Sequence, residues 1–104
     1  MIEKDNKKIV REIQKLYKEG YGLKTEDQIF HHLLKQVEKH IPKIANLKDV
    51  KEEEERFKRE IADLYLITLG LMELEKVDQT IIKKAAEYYL NKVKENSKNR
   101  GREK

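Results

Sequence analysis

An all-α fold, an antiparallel bundle of four main helices, follows from three observations. Apolar residues recur at steps of three and four along four segments of the sequence, the period of a helix with one buried face. Glycine, proline and capping residues fall between those segments, and no run alternates with the two-residue period of a strand. The connections are short, which favours antiparallel neighbours.

Ile2, Ile9, Val10, Ile13, Leu16 and Tyr17 set a first amphipathic helix over roughly residues 2–19, closed by Gly20-Tyr21-Gly22. Thr25 with Gln28 three residues on has the form of a capping box, so a second helix starts there. Its expected apolar face is Ile29, Phe30, Leu33, Leu34, Val37, Ile41 and Ile44, centred on Phe30, Val37 and Ile41. Pro42 cannot donate a backbone hydrogen bond and disfavours helix in the preceding residue, which predicts a kink or an end near Ile41. Asn46–Asp49 reads as a loop, and Asp49 with Glu52 as a second capping box opening a third helix near Val50. The acids of Glu52–Glu55 suit the positive end of the helix dipole. Glu75–Asp78 ends that helix, and Asp78 is the expected N-cap of a fourth, which turns Ile81, Ile82, Ala85, Ala86, Tyr89 and Val93 inward. The five tyrosines sit at helical positions and read as core or interface.

The third helix organises the rest. From Ile61 to Leu74 only Asp63, Thr68, Gly70 and Glu73 interrupt apolar residues. A helix apolar on most of its circumference is buried, as the centre of a bundle or as a subunit interface. Three short neighbours cannot cover it all, so a homo-oligomer, a dimer or tetramer, is expected. The stretch is too short for a bilayer, which needs about 20 apolar residues.

Residues 1–96 make one domain, and the basic end, 97–104, reads as a solvated, disordered tail. Charged residues are 42% of the chain, but the apolar ones cluster periodically, so disorder is not expected elsewhere. With no cysteine, a disulfide, a thiol nucleophile and a thiolate metal site are all excluded. No secretory pattern opens the sequence as given, and a soluble cytoplasmic protein is the expectation. A net charge of +4 permits phosphate-bearing ligands without requiring them. Nucleic acid is an unlikely partner, because no aromatic stacking platform accompanies the charge. A basic nucleic-acid-binding bundle would rest on charge alone. No glycine-rich phosphate loop and no nucleophile–base–acid set is present.

Glu60 and Asp63 lie one turn apart on the third helix and project from the same side. An acid entering a buried helix needs a metal, a cation or several hydrogen bonds. The plainer alternative is two ordinary charges on the wet end of a helix. Along a flank of the second helix run His32, Gln36, Lys39, His40 and Lys43, so a basic flank can meet an acidic one if the two helices pack antiparallel. His31 and His32 point in different directions, and no zinc site is expected from the histidines.

The segment EIADLYLITLGL, residues 60–71, resembles the second motif of the MazG-like, all-α nucleoside triphosphate pyrophosphohydrolase superfamily, E-x-x-D. In that family a preceding helix carries E-E-x-x-E-L, and the four acids hold Mg²⁺. The segment HHLLKQVEKHIPKI, residues 31–44, matches that helix in apolar pattern and in its distance from Glu60. Lys92-Val93-Lys94-Glu95-Asn96 matches the K-x-x-x-N spacing near the end of the family's last helix. The resemblance therefore implies Glu60 and Asp63 as Mg²⁺ ligands and Lys92 and Asn96 as substrate-binding residues. It also implies hydrolysis of a nucleoside triphosphate to the monophosphate and pyrophosphate. No residue is singled out as the catalytic one.

The departures are specific. Lys35 and Gln36 stand where the family has its first acids, and Lys39 stands at the motif's last Glu. Glutamine is a weaker ligand for a hard cation, and lysine competes with it. Gln36 and Lys39 thus mark a degenerate site, with Lys39 expected to reach Asp63 or Glu60 in place of the metal. The rival reading is a non-catalytic helical binding or assembly protein that kept the fold and lost the metal.

Overall fold

A computed structural model describes residues 4–102. Within them the chain forms four α-helices and one short 3₁₀ turn, and no strand. The helices are α1, Lys4–Glu19; α2, Glu26–Leu47; α3, Glu54–Leu74; and α4, Gln79–Arg102, with the 3₁₀ turn at Lys51–Glu53. Ile2 and the last two residues of the expected tail lie outside the described residues.

The second helix starts as its sequence dictates. The Gln28 backbone N–H donates to Thr25 Oγ1 at 3.1 Å, and the Thr25 N–H donates back to Gln28 Oε1 at 3.3 Å. That reciprocal pair satisfies two of the amide groups a helix start leaves without partners. Pro42 does not end α2, which runs on to Leu47. Proline removes the donor to the Glu38 carbonyl, but Glu38 and Pro42 are both exposed, so water can satisfy that oxygen. Ile44 and Leu47 beyond it are partly buried and hold the last turns to the protein.

The start of the third helix differs from expectation. Asp49 takes a left-handed backbone conformation (φ 67°), and the 3₁₀ turn follows from Val50 with no side-chain cap. The Asp49–Glu52 capping box therefore does not form, and α3 begins only at Glu54. Asp78 does cap α4: its Oδ1 accepts from the Ile81 N–H at 3.0 Å.

The core is the junction of α1, α2 and α3, with Val10, Ile29, Leu33 and Leu69 buried. α3 packs chiefly on α2 and then on α1. Leu33 facing Gly70 while His40 faces Glu60 makes α2 and α3 antiparallel. Three of the four interruptions in the apolar run of α3 have identifiable partners. At Gly70, Gln14 Nε2 of α1 donates to the backbone carbonyl at 2.9 Å. Glu73 receives Arg11 Nε at 3.3 Å and Lys7 Nζ at 3.9 Å, which ties α1 to the end of α3. Thr68 Oγ1 donates to the Tyr65 carbonyl at 2.8 Å and so needs no partner from another helix. The fourth, Asp63, belongs to the candidate site.

The expected fourth member of the bundle does not pack on the other three. Among the residues of α4 whose burial is described, only Ile82 is even partly buried, and Tyr88 and Tyr89 are 72% and 69% exposed. The helix also continues through Arg102, across most of the stretch expected to be a disordered tail. No proline interrupts Ser97–Arg102, and lysine and arginine favour helix, so an existing helix can propagate through it. The radius of gyration is 17.3 Å, against about 13 Å for a compact chain of this length. The accessible surface is 8921 Å², against roughly 6,200 Å² for a compact monomer of this mass.

α3 ends in a Schellman motif built without glycine. The Val77 N–H donates to the Met72 carbonyl at 2.8 Å and the Lys76 N–H to that of Glu73 at 3.4 Å. Lys76 occupies the left-handed position (φ 56°) that glycine adopts without a Cβ penalty. Lys76→Gly should stabilise the protein by about 0.5–1 kcal/mol. Chemical denaturation checks this, and an unchanged or lowered midpoint would show that the turn carries no strain.

Candidate metal site between the second and third helices

The buried stripe of α2 runs Ile29, Leu33, Gln36, His40, Ile44 and Leu47, steps of four, three, four, four and three residues. Phe30 and Val37 of the expected apolar face are partly buried as well, but the face is rotated toward Gln36 and His40. Leu34 and Ile41, expected inside, are exposed. Two positions of the true stripe are polar, and His40 is one of them. The imidazole thereby enters the interface instead of lining its flank.

On α3, Glu60 is the one charged residue in the buried class among the described residues, with 10% of its side chain exposed. His40 Nε2 lies 3.2 Å from Glu60 Oε2, and its own side chain is 12% exposed. Asp63 Oδ2 lies 3.9 Å from the same nitrogen, with 42% of its side chain exposed. One donor atom from each of the three residues lies within 4.8 Å of the other two. Asp63 forms the wet rim of the cluster and Glu60 its dry floor.

The orientation of His40 is fixed from the other side of the ring. Nδ1 is 2.8 Å from the Gln36 carbonyl oxygen, which can only accept, so Nδ1 carries a proton. Nε2 is left facing the two carboxylates. Although close to Nε2, Glu60 Oε2 is buried and takes part in no hydrogen bond. The nitrogen and the oxygen therefore lie side by side, neither directed at the other with hydrogen-bond geometry. A buried carboxylate oxygen in that condition is costly unless a cation faces it.

The remaining residues singled out in the sequence fall elsewhere. Lys39 is exposed and forms no ion pair with Glu60 or Asp63 among the described residues, so the side chain that faces these acids from α2 is His40. Lys39 lies one residue off the buried stripe, which points its stem toward solvent. Gln36 contributes its backbone carbonyl, as the acceptor that orients His40. Lys92 and Asn96 lie on exposed turns of α4, which does not pack against α2 or α3, and the structure does not bring them to Glu60. His32 stacks edge-on with Tyr17 at 4.7 Å between ring centroids and with Tyr21 at 5.8 Å. Burial there pushes the Tyr17 phenol above its ordinary pKa, with Tyr21 adding to the effect. His31 pairs with Asp27 at 3.6 Å on the surface. Composition and apolar periodicity do not single out His40. The signal that could have found it was the regular step from Ile29 and Leu33 through Gln36 to Ile44.

No protein-family model, curated protein or solved structure matches this chain. Among the described residues no helix is long and apolar enough to cross a membrane.

The cluster makes a stability prediction. In chelator-containing buffer His40→Ala should lower stability, because the buried Glu60 carboxylate then loses the imidazole that faces it. The double change His40→Leu with Glu60→Leu should recover that loss or exceed it, since apolar pairs of similar volume often replace buried ion pairs without cost. Urea unfolding of the variants reads both. A His40→Ala protein as stable as the parent would show that the contact holds nothing together.

Proposed function

We propose that this chain is a MazG-like, all-α nucleotide pyrophosphohydrolase whose α2–α3 cleft holds a divalent cation on Glu60 and Asp63. The observation that supports this reading is the E-x-x-D pair of α3 converging on one cleft, with a buried Glu60 oxygen that no hydrogen bond satisfies. The donor set suits a divalent cation: two carboxylates with an imidazole beside them, open to water on the Asp63 side. Mg²⁺ is the ion the resemblance implies, and it commonly takes one or two carboxylates while keeping several waters.

The reaction is attack of water on the α-phosphorus of a nucleoside triphosphate. The bond from that phosphorus to the bridging oxygen breaks, pyrophosphate leaves with the electron pair, and the proton of the water passes to solvent. A bound divalent cation supplies Lewis acidity and a template for the phosphates. Glu60 fixes the inner side of the site from a buried position, and Asp63 reaches its solvent edge. Lys35, Lys39 and Lys43 project from the exposed side of α2 and offer positive charge to a polyphosphate outside the cleft. Release of pyrophosphate from a nucleotide panel, dependent on added Mg²⁺ or Mn²⁺, is the test. Asp63→Ala should abolish that turnover while leaving helical circular dichroism nearly unchanged. Absence of turnover on every nucleotide, or full turnover in the variant, removes this assignment.

A second reading, a non-catalytic helical assembly protein, is favoured by one observation. Lys35, Gln36 and Lys39 stand at the three acid positions of the first motif, which leaves only the carboxylates of Glu60 and Asp63. Both readings include a homo-oligomer. The surface in excess of a compact monomer is roughly 2,700 Å², more than the about 800 Å² per partner of a standard interface. Ile61, Tyr65, Ile81, Tyr88, Tyr89 and Val93 are large apolar or aromatic residues left exposed on α3 and α4. Sedimentation at micromolar concentration should show a dimer or tetramer, and a monomer there overturns the oligomer proposal.

A further inference from the structure

We propose that His40 Nε2 is a third protein ligand beside Glu60 and Asp63, and that it makes this cleft a site for a borderline transition-metal dication, Zn²⁺ or Co²⁺, in preference to Mg²⁺. The inference rests on the reading that Glu60 and Asp63 face a cation, and it goes further in naming the third ligand and the class of metal.

Three observations carry it. The first is the geometry of the nitrogen and oxygen. Two donors on one such ion, each about 2.1 Å from it, stand roughly 3.0–3.4 Å apart when they subtend a right to tetrahedral angle. His40 Nε2 and Glu60 Oε2 are 3.2 Å apart. They do so without hydrogen-bonding to each other, as two donors sharing an ion do. An ion pair between imidazolium and carboxylate would instead aim the N–H at the oxygen.

The second observation lies behind the ring. A metal-bound histidine donates its other N–H to a carbonyl or carboxylate, which fixes the tautomer and turns the remaining lone pair to the metal. His40 Nδ1 does this with the Gln36 carbonyl at 2.8 Å. The arrangement is intrahelical, four residues apart, so α2 positions the ligand before any ion arrives.

The third is the chemistry of the set. Mg²⁺ takes hard oxygen donors almost exclusively, whereas imidazole suits zinc, iron, nickel and copper. Each carboxylate lost from an all-oxygen site weakens its hold on Mg²⁺, while an imidazole gained strengthens its hold on the later transition metals. Asp63 at the rim leaves the fourth side of the site to water, the open position of a zinc site that does chemistry.

The experiment uses the full chain stripped with chelator and then titrated separately with CoCl₂, ZnCl₂ and MgCl₂. Cobalt is followed by its visible absorption, and zinc and magnesium by calorimetry. The parent protein should bind Co²⁺ and Zn²⁺ at least about tenfold more tightly than Mg²⁺. His40→Ala and Asp63→Asn should each weaken Co²⁺ and Zn²⁺ by at least about tenfold. Because Asp63 is half-exposed, its variant tests the site even where His40→Ala melts, and His40→Gln then removes the imidazole while retaining a polar side chain of similar reach. His31→Ala, which touches only the surface pair with Asp27, should bind as the parent does. Four outcomes overturn the inference: no cobalt or zinc binding below millimolar, Mg²⁺ binding as tight as Zn²⁺, unchanged cobalt binding in both His40 variants, or loss of binding in His31→Ala. Hydrolysis takes no part in these readouts. Cobalt bound through His40 with no turnover would remove the hydrolase and keep the site. Mg²⁺-dependent turnover lost in Asp63→Ala but intact in His40→Gln would keep the hydrolase and remove His40.

Discussion

The structure depends on one constraint: α3 is apolar around most of its circumference, and only two helices of its own chain cover it. α1 and α2 bury Leu69 and Gly70, yet Ile61 and Tyr65 stay exposed. At about 25 cal/mol per Å² of apolar surface, an uncovered helix face is the largest unclaimed source of stability in so small a protein. The ion pairs of Glu73 with Arg11 and Lys7 hold α1 in place, but exposed pairs of this kind contribute only about 0–1 kcal/mol each. Packing against α3, and not surface charge, therefore decides which helices belong to the core. α4 has an apolar stripe of its own and nothing in this chain to lay it on, which is why the oligomer proposal follows from the same constraint.

Within that interface Glu60 is an anomaly that packing cannot explain. A leucine there would continue the stripe Phe57, Leu64, Ile67 and Leu71, all partly buried. Instead a carboxylate sits opposite an imidazole at the point where α2 and α3 enclose it. Buried charge pairs seldom improve on apolar replacements of the same volume. Their presence in an otherwise apolar seam is more economically read as a site than as a fastener. The position on the wall of a helix pair, open at Asp63, gives that site one dry side and one wet one.

Much of this architecture was legible in the sequence, and the parts that were not share a cause. Four helices, the Thr25–Gln28 box and the Asp78 cap depend on local chemistry, and local chemistry is written in adjacent residues. The packing of α4 and the rotation of α2 are decided by tertiary contacts. Apolar residues alone placed the centre of α2 at Phe30, Val37 and Ile41, because a wheel drawn from hydrophobicity gives no weight to a buried histidine. Ile41 is outside and His40 inside, where the α3 seam offers Glu60 and Asp63 to the imidazole. Pro42 misled in a similar way. Its local rule holds for a buried helix interior, but an exposed Glu38 carbonyl has water as a second choice.

Under the proposed hydrolase reading, the replacement of the family's α2 acids by other residues has an internal logic. Four carboxylates around one cleft repel one another and need a dication to coexist, so such a site folds well only when loaded. Keeping only the Glu60–Asp63 pair and turning an imidazole toward it lowers that repulsion, because histidine can be neutral or can carry a charge opposite to theirs. The exposed Lys35 and Lys39, where the proposed family has acids, add positive potential just outside the cleft. Both changes lower the charge repulsion within the unloaded site. They also lower the attraction for a hard, strongly hydrated ion far more than for one that gains a nitrogen ligand. On that reading, the residues of α2 make the cleft selective by ligand type and not by charge.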